Sequence, residues 1–142
     1  MPLVSVTRLR VRSWRFMPRF FLGATRSARQ AGQAPGNLAV VVLRDRKLTF
    51  WTCTAWTDEA SMKAFVLSGP HRAVMRNLLD WCDEASLVHW LQETNDVPAW
   101  PEAHRRLSAE GRPSKVRNPS EAHREFRIVP PVVTTRRQAR LK

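Results

Sequence analysis

The sequence predicts an α+β fold, a ferredoxin-like βαββαβ sandwich built on one antiparallel sheet. Three observations predict it. Across residues 1–92 the apolar period alternates between two and three-to-four residues, in the order strand, helix, strand, strand, helix pair, strand. The short polar link Arg44-Asp45-Arg46-Lys47 joins the second and third strands as a hairpin. Both of those strands are apolar on both faces, so the sheet must be covered twice.

Leu3 to Arg12 alternates as a strand, with Val4, Val6, Arg8, Arg10 and Arg12 on one face and Leu3, Ser5, Thr7, Leu9 and Val11 on the other. Arg15 to Gln33 reads as a helix. Ser13 can cap it, and Pro18 falls in the first turn, where a missing N–H does little harm. Phe16, Phe20, Ala24, Ser27, Ala28 and Ala31 form its inner stripe, and Arg19, Arg26 and Arg29 lie opposite. Gly32 stops the helix and Pro35-Gly36 makes a turn. Asn37 to Arg44 is the second strand. Leu48 to Trp56 is the third, with Trp51 and Cys53 on one face and Phe50, Thr52, Thr54 and Trp56 on the other.

Thr57 or Asp58 caps the next helix, whose stripe is Met62, Phe65 and Val66. Gly69-Pro70 breaks it, and a new helix starts near His71 with Val74, Leu78 and Trp81 facing inward. Asp83 and Glu84 read as end-capping residues ahead of the last core strand, Ala85 to Gln92. Right-handed crossovers place these helices on one side of the sheet. The other side has none, so a second copy is expected to bury it, face to face, as a dimeric α/β barrel. Residues 93–142 hold six of the ten prolines and form an extension expected to wrap over the core or the partner. Within it, Pro101 to Glu110 and Pro119 to Phe126 read as short helices, Ile128 to Val133 as a strand or arm, and Thr134 to Lys142 as disordered.

Composition narrows the classes. The longest apolar run, Leu38 to Leu43, is far short of the roughly 20 residues of a membrane span. No secretory signal is expected. Cys53 and Cys82 stand apart with no CxxC pair, so the reading is two core thiols in a cytoplasmic protein, with no disulfide framework and no metal site. The net charge is +12, and residues 1–44 carry eight arginines and no acid. That balance suits an anionic partner. Nucleic acid is not expected, because no recognition motif accompanies the charge. Phosphate-loop, HExxH and Gly-x-Ser-x-Gly patterns do not occur.

The segment Phe50-Trp51-Thr52, Trp56-Thr57-Asp58-Glu59-Ala60, Met62, Phe65 and Ser68-Gly69-Pro70-His71-Arg72 resembles the antibiotic biosynthesis monooxygenase-like families of the dimeric α/β barrel superfamily. With Trp81-Cys82-Asp83-Glu84-Ala85 and His89-Trp90, it is similar to an uncharacterised branch grouped with spheroidene monooxygenase-like proteins. The resemblance covers roughly residues 3–92. It implies a homodimer and a monooxygenase-like oxidoreductase that acts on a hydrophobic small molecule held between sheet and helices. Members of the superfamily work with no cofactor or with haem, so either is admitted. The asparagine that quinone-forming and haem-degrading members place on the first strand is absent here, where Arg8, Arg10 and Arg12 stand instead.

His71 is the candidate catalytic residue: at a helix start after Gly-Pro, the helix dipole favours its neutral form, which suits a base or a haem ligand. Trp51, Trp56, His89, Arg10 and Arg12 are the candidate pocket residues. The tryptophans offer flat apolar walls, and His89 is aimed at the sheet–helix cavity. Arg8, Arg10 and Arg12, about 7 Å apart along a strand, form a possible carboxylate or phosphate clamp, unless acids such as Glu93 and Asp96 pair with them. His104 and His123 are expected at the surface. The alternative function is a non-catalytic ligand-binding or interaction protein that uses its basic surface.

Overall fold

The structure is a computed structural model and describes residues 1–142. The first half of the chain supplies β1 (Leu3–Val11), α1 (Met17–Gln33), β2 (Asn37–Arg44) and β3 (Thr49–Trp56). Next come α2 (Glu59–Val66), α3 (Gly69–Trp81) and β4 (Cys82–Leu91). The tail adds α4 (Trp100–Glu110), β5 (Arg112–Pro113), α5 (Glu121–Arg124) and β6 (Gln138–Arg140). The sheet is antiparallel throughout, in the order β5-β4-β1-β3-β2-β6. Its central four strands have the ferredoxin-like arrangement that the βαββαβ order predicts.

On one side, α1, α2 and α3 cover the sheet. Trp56, Leu3 and Val40 pack against Ala31, Met62 and Phe65, while Val11 and Cys82 pack against Phe20 and Trp81. Two glycines shape this side. Gly36 has φ +85°, and a Cβ there would run into the Ser61 and Thr57 side chains. Gly69 has φ +57° and opens α3 beside the Gln30 side chain.

On the other side the expectation of an uncovered face is not met. Trp100, Ala103 and Leu107 of α4 pack on Val4, Val6, Val41, Trp51, Cys53 and Val88. Their spacing of three and four residues is an apolar helix stripe, and it meets the apolar set of the sheet. The physical reason given for a second copy is thus answered within one chain.

One further expectation changes, and the structure adds detail to two others. β4 begins at Cys82, so Glu84 lies inside the strand and is not an end cap. The final residues carry a short strand: β6 pairs with β2 from Val41 to Leu43, and the Leu141 N–H donates to the Val40 carbonyl at 2.8 Å. An unpaired strand edge supplies donors and acceptors for such an arm. Ile128 to Val133 runs as an arm without sheet pairing, held where the Val132 N–H donates to the Asp45 carboxylate at 3.1 Å.

Candidate functional site

α1 and the corner between α2 and α3 enclose the larger of the two main clefts, about 780 Å³. Ala34, Pro35, Ala60, Ala64, Phe65 and Pro70 give it apolar walls, and Arg26, Arg29, Asp58, Gln30 and Ser68 supply polar groups. Asp58 starts α2 by accepting the Ser61 N–H at 2.8 Å. Gln30 then pins the corner to α1. Its side-chain N–H donates to the Ser68 carbonyl at 2.7 Å, and its oxygen accepts the His71 backbone N–H at 2.8 Å.

His71 does not itself line this cleft; its chain neighbour Pro70 and its ring neighbour Phe65 do. Its ring lies 4.5 Å from the Phe65 ring, and Phe65 stacks on Trp56 at 5.2 Å. Nδ1 lies 3.2 Å from the Val66 carbonyl, which can only accept, so Nδ1 carries the proton. Nε2 then holds the lone pair and has no hydrogen-bond partner in the chain. Burial pushes the imidazole pKa below the ordinary 6.5, against the pull of the Val66 carbonyl. Burial thus favours the neutral ring, and the Val66 carbonyl favours the tautomer with Nδ1 protonated.

Gln30 was not legible as a site residue, because a glutamine within an amphipathic helix carries no spacing signal. Gln30→Ala is expected to cost about 1–2 kcal/mol by removing its hydrogen bonds. It should also let the His71 pKa rise towards 6.5, measured by the ring-proton shifts in NMR.

The pocket residues named from sequence do not converge. Trp56 is fully buried on the helix side, with Nε1–H donating to Thr54 Oγ1 at 2.9 Å. Trp51 is fully buried on the α4 side, edge-on to Trp100 and donating to Asp45 at 3.1 Å. An odd separation along a strand puts the two on opposite faces. His89 is exposed and does not reach the interior between sheet and helices, which Trp56, Phe65 and Met62 fill. Arg10 donates to Glu84 at 2.9 Å and sits 3.6 Å from Asp83. Arg12 donates to the Asp80 carbonyl at 2.7 Å.

The three-arginine clamp is therefore corrected. A register shift between Arg10 and Val11 ends β1 before Arg12, which turns to α3. Arg8 is buried and donates to Glu84 at 2.7 Å. The acid that answers Arg8 and Arg10 is Glu84, not Glu93 or Asp96. Ser120 adds a hydrogen bond to Glu84 at 2.8 Å. Burial raises the Glu84 pKa, but the hydrogen bonds from Arg8 and Ser120 and the two guanidinium charges outweigh it and leave it lowered. Burial raises that of Asp83, against the pull of Arg10.

His104 and His123 are also drawn in. His104 Nε2 is 2.8 Å from the Ile128 carbonyl. His123 Nε2 is 2.9 Å from that of Ser114, while its Nδ1 accepts the Ala85 N–H at 3.4 Å. The His104 ring ties α4 to the arm at Ile128, and the His123 ring ties the tail to β4 at Ala85.

The second cleft, about 460 Å³, lies on the α4 side between Val41, Cys53, Trp100, Val133, Gln138 and Arg140. Cys53 and Cys82 are free, buried thiols, and burial pushes each pKa up to about 12. Neither is a nucleophile at neutral pH.

A haem needs a flat apolar slot against an imidazole nitrogen. The His71 ring lies against Phe65, itself stacked on Trp56, and the neighbouring cleft wall carries Gln30, Ser68, Arg26 and Arg29. These residues do not fit a haem. No cluster of three or more His, Cys, Asp or Glu side chains is arranged to hold a metal ion. No helix is long and apolar enough to cross a membrane.

Similarity to known proteins agrees with this architecture. No curated protein matches the chain. Among solved structures, SnoaB, a cofactor-independent oxygenase from Streptomyces nogalater, is 16% identical with a TM-score of 0.55, covering 66% of this chain and 94% of SnoaB. A putative antibiotic biosynthesis monooxygenase from Nitrosomonas europaea is 16% identical with a TM-score of 0.57, covering 64% of this chain and 89% of that one. Another, from Bacteroides thetaiotaomicron, is 12% identical with a TM-score of 0.58, covering 69% and 95%. At these identities the likeness establishes the fold, that of antibiotic biosynthesis monooxygenase-like proteins. One family model matches residues 23–114, running beyond the expected boundary at residue 92 and through α4 and β5. The chain therefore belongs to the family described as a domain of unknown function, DUF3291.

Proposed function

We propose that this chain is a monooxygenase-like enzyme acting on a hydrophobic small molecule at the His71 end of the α1–α2–α3 cleft. The observation that carries the reading is the neutral His71, its Nδ1 proton held by Val66 and its Nε2 without a partner. Such a nitrogen can take a proton from an acidic C–H or O–H. The substrate class is an enolisable ketone or phenol. Its apolar body suits Phe65, Ala64 and Pro70, and its developing anion suits Arg26 and Arg29. Once deprotonated, such a substrate can itself reduce dioxygen: a CH2 carbon becomes a carbonyl, one oxygen atom stays on the product and the other leaves as water. No cofactor enters this scheme. Every group named comes from one protomer, so the reading stands for a single subunit and for a homodimer alike.

The test is dioxygen uptake over a panel of enolisable aromatic ketones and phenols. His71→Asn should lower kcat at least about 100-fold, the usual span of general-base catalysis. The acid limb of the wild-type profile should lie below pH 6.5, because the base stays neutral down to its lowered pKa. Uptake unchanged in the variant would sink the proposal. Added haemin should give no His71-dependent Soret band.

The non-catalytic reading is favoured by the arginines that line the cleft without an ion pair. Tight binding of an aromatic carboxylate with no turnover of any enolisable compound would select it.

A further inference from the structure

The outer surface of the helix layer combines two properties that the cleft does not explain. The first is charge. Arg15 and Arg19 at and along α1, with Arg72 and Arg76 on α3, are all exposed outside the cleft, and none forms an ion pair. The chain has no acid before Asp45, and the one acid of α3, Asp80, is already paired with Arg117. The second is exposed apolar bulk. Trp14 is 78% exposed, Phe21 64%, Leu22 52% and Leu67 65%. These residues belong to α1, the turn before it and the end of α2, elements that lie on the same side of the sheet.

We propose that this surface docks on an anionic phospholipid bilayer, lying at the interface without crossing it. Arginines that lack internal partners are attracted to acidic headgroups. Trp, Phe and Leu side chains exposed on the same helix layer suit the boundary between headgroup and acyl chain. The same chemistry argues against the other occupants. A symmetric contact with a second copy would set these four unpaired guanidinium groups against four more, while the acids Asp80 and Glu59 of the same layer are already paired with Arg117 and Lys63. Nucleic acid would answer the charge and could stack on Trp14 and Phe21, but it would leave aliphatic Leu22 and Leu67 in water. The proposal does not depend on the oxygenase reading.

The experiment is co-sedimentation of the full chain with phosphatidylcholine vesicles, with and without phosphatidylglycerol, at about 0.1 M salt. Binding is expected with the anionic vesicles and not with the neutral ones. Arg19→Glu with Arg76→Glu should weaken it at least about tenfold. Phe21→Ser with Leu22→Ser should weaken it while preserving the charge. All four side chains are exposed, and unchanged thermal unfolding of each variant confirms an intact fold. Trp14 should be quenched by brominated lipid in the bound state. Failure to sediment with anionic vesicles overturns the proposal. So does equal binding to neutral vesicles, undiminished binding by the arginine variant, or displacement from the vesicles by a short duplex DNA at equal charge concentration.

Discussion

Trp100→Ala lowers the unfolding free energy by about 3–5 kcal/mol, the usual cost of emptying a large buried aromatic site. Trp100 is 6% exposed, packs edge-on against Trp51 and donates from Nε1 to Gln138 at 2.6 Å. Its loss therefore removes apolar packing and also frees a tie to β6. Urea unfolding followed by tryptophan fluorescence measures it, and a loss below about 1 kcal/mol would show that α4 contributes little. The sharper form of the experiment ends the chain at Gln92. Val4, Val6, Val41, Trp51 and Cys53 then lose their cover. The shortened protein is expected to self-associate more strongly than the full chain in sedimentation velocity, or to precipitate. Equal behaviour of the two would mean that α4 is not what shields that face.

Glu84→Ala is expected to destabilise the fold by about 3–5 kcal/mol as well, for a different reason. The substitution leaves the Arg8 guanidinium buried without a counter-charge. Arg10, about a third exposed, can turn to water, so most of the effect is that of Arg8. The paired change Arg8→Met with Glu84→Leu should recover most of the loss, since well-packed apolar groups replace a buried ion pair at little cost. The pH dependence carries a sign. The folded-state pKa of Glu84 is lowered, so its contribution is fully present above the unfolded glutamate value of about 4.3 and is lost as pH falls through the folded value. Asp83, with a raised folded-state pKa, works in the opposite direction and recovers stability as it protonates. In Glu84→Ala the acid-side loss should therefore flatten, and an unchanged acid limb would contradict the assignment.

The secondary structure was largely legible because it follows from local rules. Alternation marks β1, β2 and β3, the stripe from Phe20 to Ala31 marks α1, and Gly69-Pro70 marks the division between α2 and α3. Even α4 was readable as a helix. Its destination was not, since whether a terminal helix covers its own sheet or leaves room for a partner is decided by tertiary packing. Arg8, Arg10 and Glu84 illustrate the same limit. Alternation placed the two arginines on one face, but only the pairing register brings Arg10 opposite Glu84 and Arg8 opposite Ser86. The shift that redirects Arg12 leaves no mark in the residue pattern. At the candidate site, His71 stood out by its place after Gly-Pro. Gln30, which holds it, became apparent only once α1 lay against α3.

The position of α4 after the four central strands has a consequence for biosynthesis. The four central strands are complete once Leu91 has been made, yet their cover waits for Glu110. At ordinary translation rates that delay is about 1–4 s. During it a nascent chain presents a greasy plane beside the ribosome, and chaperone capture or aggregation competes with the helix that has not yet arrived.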